Sequence, residues 1–178
     1  MHIIKNIFLL LLALIAIALI AALFVKKDYT VEREITINKP KQLVFDYVKL
    51  LRNQDNFSKW ASMDPNMKKD YKGIDGTVGF VSSWEGNKDV GKGEQTIRKI
   101  TEGEKVEFDL HFIKPFEGLA DAYMSTEALA ENQTKVKWGL KSSMKYPMNL
   151  MLLFMNMDKM IGEDFQVGLV NLKGLMEK

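Results

Sequence analysis

Chemistry in this 178-residue chain would depend on carboxylate and guanidinium groups at three positions. Asp164 falls inside an apolar stripe when the last helical segment is drawn at 100° per residue. A carboxylate there needs a partner, because burying an unpaired charge is costly. It could hydrogen-bond a ligand, pair with a basic side chain such as Arg98, or cap a helix that begins after Gly162. Asp164, Glu94 and Arg98 are therefore the candidates for proton transfer or substrate orientation.

Other catalytic groups are scarce in the sequence. His111 is the only histidine after residue 2, and it alternates in phase with Glu107 and Asp109. This phase predicts an exposed side chain rather than a general base. The chain has no cysteine, which excludes thiolate metal ligands and a cysteine nucleophile. No glycine-rich segment has the spacing of a nucleotide-binding loop. We expect no metal site and no cofactor.

Methionine and aromatic side chains favour an apolar binding surface instead. Seven of the eleven methionines lie at or beyond Met144. Methionine is flexible and polarisable, so it suits both core packing and the lining of an adaptable pocket, and the sequence leaves both roles open. Large aromatic residues on a concave sheet face have the same two possible roles. The candidate ligand-binding residues are Trp60, Phe80, Trp84, Phe112, Met124, Trp138, Met151, Met155, Met157, Ile161 and Phe165.

A sheet of alternating strands would carry many of these residues. Residues 29–37 alternate between apolar and polar side chains and predict a first strand, in which Arg33 breaks the apolar phase. Pro40 and the apolar spacing after it predict a short helix, and a second short helix is predicted at about residues 53–60. Alternating runs with glycines between them, over residues 73–141, predict an antiparallel meander.

The chain closes with a predicted helix from about Met148 to Met176. Apolar residues recur there at spacings of three and four, opposite a polar face. Gly162 and Gly168 interrupt this helix, and each costs about 1 kcal/mol relative to alanine. We expect a kink or break near Gly162, and a close approach of the helix to the sheet or to a bound molecule.

The N-terminal segment is predicted to be a membrane anchor. Residues 7–25 are nineteen consecutive apolar residues, and as a helix they would span roughly 28 Å. The run is longer than the apolar region of a cleaved signal peptide, although small residues within it leave cleavage open. A buried core helix would need a polar face, which this run lacks. The lysines at its two ends leave the side of the membrane open.

The charge distribution changes at the end of the predicted anchor, because residues 1–27 carry lysines and no acidic residue. Residues 1–27 form the predicted anchor region, and residues 28–178 form one predicted domain. Beyond Lys27 the chain carries 22 basic and 23 acidic residues. Because no dense block of lysine and arginine follows the anchor, the sequence argues against nucleic-acid binding.

The order of elements resembles a known superfamily. The segments Trp138-Gly139, 146–151 and 154–160 carry this resemblance within a strand, two short helices, several antiparallel strands and a long last helix. The chain resembles the polyketide cyclase and lipid-transport-like branch of the START/Bet v1-like superfamily, also called SRPBCC, over residues 28–178. The resemblance implies an α+β helix-grip fold. In this fold a curved sheet of six or seven strands wraps around a long C-terminal helix, and a mostly apolar pocket lies between the sheet and the helix. Members commonly carry an N-terminal transmembrane helix.

Three functions are compatible with this resemblance. The first is a membrane-anchored binding domain for a hydrophobic small molecule, lipid-like or aromatic and polyketide-like, held to the bilayer through residues 7–25. The second is a polyketide cyclase or dehydratase, which would need ionisable groups inside the pocket. The third is a membrane-tethered protein-interaction module, which would expose a large apolar patch. Abundant apolar residues and few acid–base groups favour binding.

Overall fold

The computed structural model describes residues 2–178, with an N-terminal helix followed by an α+β unit. The helix α1 covers His2–Ala22. The elements that follow are β1 (Asp28–Ile37), α2 (Lys41–Val48), a 3₁₀ helix (Leu51–Asn56), α3 (Lys59–Met63), β2 (Lys68–Lys72), β3 (Val81–Glu85), β4 (Lys92–Thr101), β5 (Lys105–Lys114), β6 (Gly118–Ala130), β7 (Gln133–Ser143), a second 3₁₀ helix (Met148–Leu153) and α4 (Met157–Met176).

The strands form one seven-stranded antiparallel sheet in the order β1-β7-β6-β5-β4-β3-β2. Neighbours in sequence are neighbours in the sheet, except that β1 pairs with β7, from Asp28 opposite Ser143 to Ile37 opposite Thr134. The predicted α+β architecture is therefore confirmed. The end of the sheet at which β1 begins and β7 ends is called the α1 end below, because the chain enters it from α1.

Alternation along the strands gives the sheet an inner apolar face and an outer polar face. One inner row crosses five strands and is buried throughout: Val31, Leu140, Ala122, Phe108 and Ile97. The next row, on the outer face, is polar: Thr30, Lys141, Asp121, Asp109 and Thr96. The core lies between the inner face, α2 and α4.

The long C-terminal helix begins later than its apolar spacing predicts. Residues 148–153 form the second 3₁₀ helix, and α4 starts at Met157 after Asn156, whose side-chain oxygen accepts the N–H of Lys159 at 2.9 Å. This cap satisfies an N–H that has no partner within the helix. The helix then runs unbroken through Gly162 to Met176, so the expected break near Gly162 is wrong. The predicted helix at 53–60 is likewise divided between a 3₁₀ helix and α3.

The N-terminal helix α1 is long and apolar enough to cross a bilayer. Residues Ile3–Ala22 have a mean hydropathy of 2.8, and residues 3–20 are exposed along the helix. At 1.5 Å per residue they cover about 30 Å, which matches the hydrocarbon core of a membrane.

Candidate ligand-binding site

Part of the inner face is filled by aromatic side chains under α4. The rings of Trp138 on β7 and Phe165 on α4 are stacked, with centroids 4.6 Å apart and planes at 14°. Trp60 on α3 packs edge-on against both rings, and Phe57 packs edge-on against Trp138 at 5.6 Å. This aromatic cluster closes the space between β7 and α4.

The two glycines of α4 allow the helix to approach this part of the sheet. A Cβ at Gly168 would stand 2.7 Å from Cζ3 of Trp138, and one at Gly162 would overlap the guanidinium of Arg33. The predicted close approach is therefore to the sheet, and side chains of β1 and β7 occupy the space that the glycines leave.

Arg33 breaks the apolar phase of β1 because it binds α4 from the inner face. It lies opposite Trp138 in the sheet, and its guanidinium donates to the carboxylate of Asp158 at 2.8 and 3.0 Å and to the Asp158 carbonyl at 2.9 Å. The hydrogen bond from Arg33 holds the pKa of Asp158 below its ordinary value, and the same bond raises the pKa of Arg33. The first turn of α4 is thus tied to the middle of β1.

Asp164 is paired across two helices. Its carboxylate accepts from the ammonium of Lys59 on α3, and both side chains are partly buried. The basic partner is therefore Lys59 and not Arg98. Asp164 also caps no helix, because α4 is continuous on both sides of it. The pair lies next in sequence to Trp60 and Phe165, so it places one acid and one base beside the aromatic cluster.

Glu94 and Arg98 lie away from Asp164, on the outer face of the sheet. Glu94 is opposite His111, 3.8 Å from its Nδ1. Arg98 donates to Asp121 on β6 at 2.7 Å. Because the sheet separates them from Asp164, these groups cannot act with it on one substrate. His111 faces outward, as the alternation of β5 predicted, and the pairing of β4 with β5 brings Glu94 beside it.

A second part of the inner face, toward the α1 end, is less covered. Trp84 on β3 lies opposite Gly93, and Gly93 lies opposite Phe112. The two rings meet edge to face at 6.2 Å. Leu110 lies two residues before Phe112 on the same face of the sheet. The small residue Ala120 lies opposite Leu110 on β6. Trp84, Leu110 and Phe112 are partly exposed and are called the inner-face patch below.

The other predicted ligand-binding residues lie either in the core or in the segment from the second 3₁₀ helix to the first turns of α4. Phe80 and Met124 are fully buried, and Phe80 stacks on Tyr71. Four others are partly exposed in the second 3₁₀ helix, the turn after it and the start of α4: Met151, Met155, Met157 and Ile161. The structure thus brings Trp60, Trp138 and Phe165 together and Trp84 and Phe112 together. That any of them binds a ligand stays a prediction.

A hollow lies on the other side of the sheet. It has a volume of about 550 Å³, and charged groups of the outer face line it, among them Asp109, Asp121 and Lys141. Its walls also include Leu119, Ala120 and Leu110, and Leu110 is shared with the inner-face patch.

Sequence comparisons leave the chain without an assigned family, and structural comparisons define its fold. No protein-family model and no curated protein sequence matches it. Among solved structures, major latex-like protein 151 from Panax ginseng matches with a TM-score of 0.63 and 12% identity, over 84% of this chain and 98% of that one. The Zhui aromatase/cyclase from Streptomyces sp. R1128 matches with a TM-score of 0.61 and 12% identity, over 84% and 94%. Ara h 8.0201 matches with a TM-score of 0.55 and 16% identity, over 84% and 97%.

These matches show that the α+β unit has the helix-grip fold, which is the fold of Bet v1-like and START-like proteins. The fold inferred from the resemblance in the sequence is confirmed over the α+β unit. At such low identity the likeness extends to the fold and leaves the ligand open.

Proposed function

We propose that this protein is a membrane-anchored domain that binds a hydrophobic small molecule on its inner face. The observation that carries the proposal is the inner-face patch, where Trp84, Leu110 and Phe112 are partly exposed although they belong to the apolar face of the sheet. Partly exposed aromatic residues on an apolar surface with a few polar groups nearby are typical of ligand sites.

Polar groups at the edges of this surface would orient such a ligand. Gln95 lies opposite Leu110, and Ser82 lies opposite Gln95 on the next strand, so both share the inner face with the patch. The Lys59–Asp164 pair stands beside the aromatic cluster. A few polar groups on an apolar wall favour a ligand with a hydrocarbon or aromatic body and one polar end.

The structure offers more support for membrane anchoring than for catalysis. The length and exposure of α1 support its insertion in a bilayer, which would keep the site close to membrane-partitioned ligands. A cyclase activity, as in the name of the Zhui neighbour, has less support, because Glu94 and Arg98 lie on the outer face and leave Lys59–Asp164 as the acid–base pair near the inner surface.

Mass spectrometry and one matched pair of variants test the proposal. Native mass spectrometry of the full chain, extracted from its own membrane, should release a retained apolar compound. Leu110→Gln should weaken the binding of that compound, or of anilinonaphthalene sulfonate as a probe, by about tenfold or more, because an unpaired amide on an apolar contact costs about 1–3 kcal/mol.

Leu129→Gln is the control for this experiment. Leu129 is partly exposed near the end of β6 that lies away from the α1 end, so the same substitution there should leave binding within about twofold. Equal losses in the two variants, or a chain that carries no compound and binds no probe, would contradict the proposed site.

A further inference from the structure

Large apolar side chains are exposed together at the α1 end of the domain. Phe24, Phe116 and Phe154 are 85%, 71% and 87% exposed. Six more exposed apolar residues lie in the same three segments, 23–28, 113–119 and 144–154: Leu23, Ile113, Leu119, Tyr146, Met148 and Leu153. Single exposed apolar residues are ordinary, but clustered ones mark a contact surface.

Strand pairing places the three segments at one end of the molecule. Segment 113–119 spans the turn from β5 to β6, where Phe112 lies opposite Gly118. Segment 144–154 follows β7, whose last residue Ser143 lies opposite Asp28. The N–H of Met144 donates to the carbonyl of Lys27 at 2.9 Å, which joins this segment to the chain that leaves α1.

A buried asparagine fixes the end of α1 to this surface. The side-chain amide of Asn149 donates to the carbonyls of Ala22 at 2.7 Å and Val25 at 3.0 Å, and both Asn149 and Ala22 are fully buried. The last carbonyl groups of a helix have no hydrogen-bond partner within the helix. The amide of Asn149 therefore supplies hydrogen bonds that these carbonyl groups would otherwise lack. The exit of α1 and the three segments therefore form one continuous surface.

The charges of the same segments suit a lipid headgroup layer. Lys26, Lys27, Lys114 and Lys145 are exposed there, and the acidic residues in these segments are Asp28 and Glu117. Lysine can place its hydrocarbon stem along an apolar surface and its ammonium among anionic headgroups.

We infer that the three segments 23–28, 113–119 and 144–154 form a membrane-docking surface, which inserts their apolar side chains into the bilayer around the exit of α1. This inference rests on the proposed insertion of α1, because the docking surface is continuous with that helix. The occupant is a lipid bilayer. The inner-face patch lies toward the same end, because Phe112 directly precedes segment 113–119, so docking would hold the proposed ligand site close to the lipid.

Fluorophores on single cysteines test this surface in the full chain. The protein has no cysteine, so Phe116→Cys and Phe154→Cys each give one site for a nitrobenzoxadiazole label. Asn132→Cys, in the exposed turn between β6 and β7 at the opposite end, is the control. In phosphatidylcholine–phosphatidylglycerol nanodiscs, spin-labelled lipid should quench the labels at 116 and 154, and iodide should quench them about threefold less than the label at 132, as expected for insertion of about 5–10 Å.

The outcomes separate the docking surface from the proposed anchor. If alkaline carbonate releases the chain from vesicles, the anchor fails and the inference falls with it. If the chain is retained but iodide quenches all three labels equally, the anchor stands and the docking surface is refuted. Labels shielded from iodide but untouched by spin-labelled lipid would indicate a protein interface, which also refutes it. Compound retention in native mass spectrometry reports on ligand binding separately.

Discussion

Replacing Gly168 by alanine tests the packing that closes one part of the inner face. The new Cβ would stand 2.7 Å from Cζ3 of Trp138, closer than a carbon–carbon contact allows. Trp138 cannot easily give way, because it is buried and stacked on Phe165 with centroids 4.6 Å apart. Either the ring or the helix must move.

The expected loss follows from three contributions. Overpacking of a core costs about 1–3 kcal/mol, and a disturbed aromatic stack costs about 0.5–1.5 kcal/mol. Alanine returns about 1 kcal/mol through its higher helix propensity. Gly168→Ala should therefore lower the free energy of unfolding by about 2 kcal/mol.

Gly174→Ala is the matched control in the same helix. A Cβ at Gly174 meets no atom within 4 Å, so this variant should gain about 0.5–1 kcal/mol. The two variants should differ by about 3 kcal/mol, or about 6–12 °C in Tm.

Urea unfolding of the full chain in detergent micelles measures this difference. The three tryptophans, Trp60, Trp84 and Trp138, all belong to the α+β unit and report on its unfolding. If Gly168→Ala were as stable as Gly174→Ala, the stack of Trp138 under α4 would not exist as described, and that part of the inner face would be open.

Two further predictions concern the ends of the domain and of α4. Asn149→Ala removes the amide that binds two carbonyls at the end of α1, so tryptic cleavage after Lys27 should accelerate about tenfold, whereas Asn132→Ala should leave the rate unchanged. Arg33 lowers the pKa of Asp158 below 3.8, so this pair contributes stability that is present above pH 4 and is lost as pH falls through the lowered pKa. In urea unfolding series at several acidic pH values, Asp158→Asn should show a shallower loss of stability than the wild-type chain, and an identical slope would contradict the pairing.

Alternation made most of the sheet predictable from sequence. A period of two identifies a strand when one face is apolar, and this condition holds for the inner face of β1 and of β5 to β7. It does not hold for β2, whose sequence is Lys-Lys-Asp-Tyr-Lys, and this strand was not predicted. Lysines on an edge strand discourage pairing with another chain, and they also conceal the strand from a search for hydrophobic pattern.

The ends of the helices and the partners of the charged side chains could not be predicted, because they are determined by contacts between residues far apart in sequence. Residues 148–153 have the apolar spacing of an α-helix, but Asn149 in this segment binds the end of α1. The helix α4 begins separately, after its N-cap residue Asn156. Lys59 could not be identified as the partner of Asp164, because 105 residues separate them and no local pattern marks the pair. Arg33 was visible as a break in the phase of β1, although its partner Asp158 was not.

The pairing of the first strand with the last has a consequence for synthesis at the ribosome. β1 follows α1 directly, but its partner β7 is completed only about 100 residues later. At roughly 5–20 residues per second, β1 waits about 5–20 s without a partner strand. Glu32, Arg33 and Glu34 place three consecutive charges in the middle of this waiting strand. Such charges oppose pairing with another nascent chain, so they protect the unfinished sheet from aggregation.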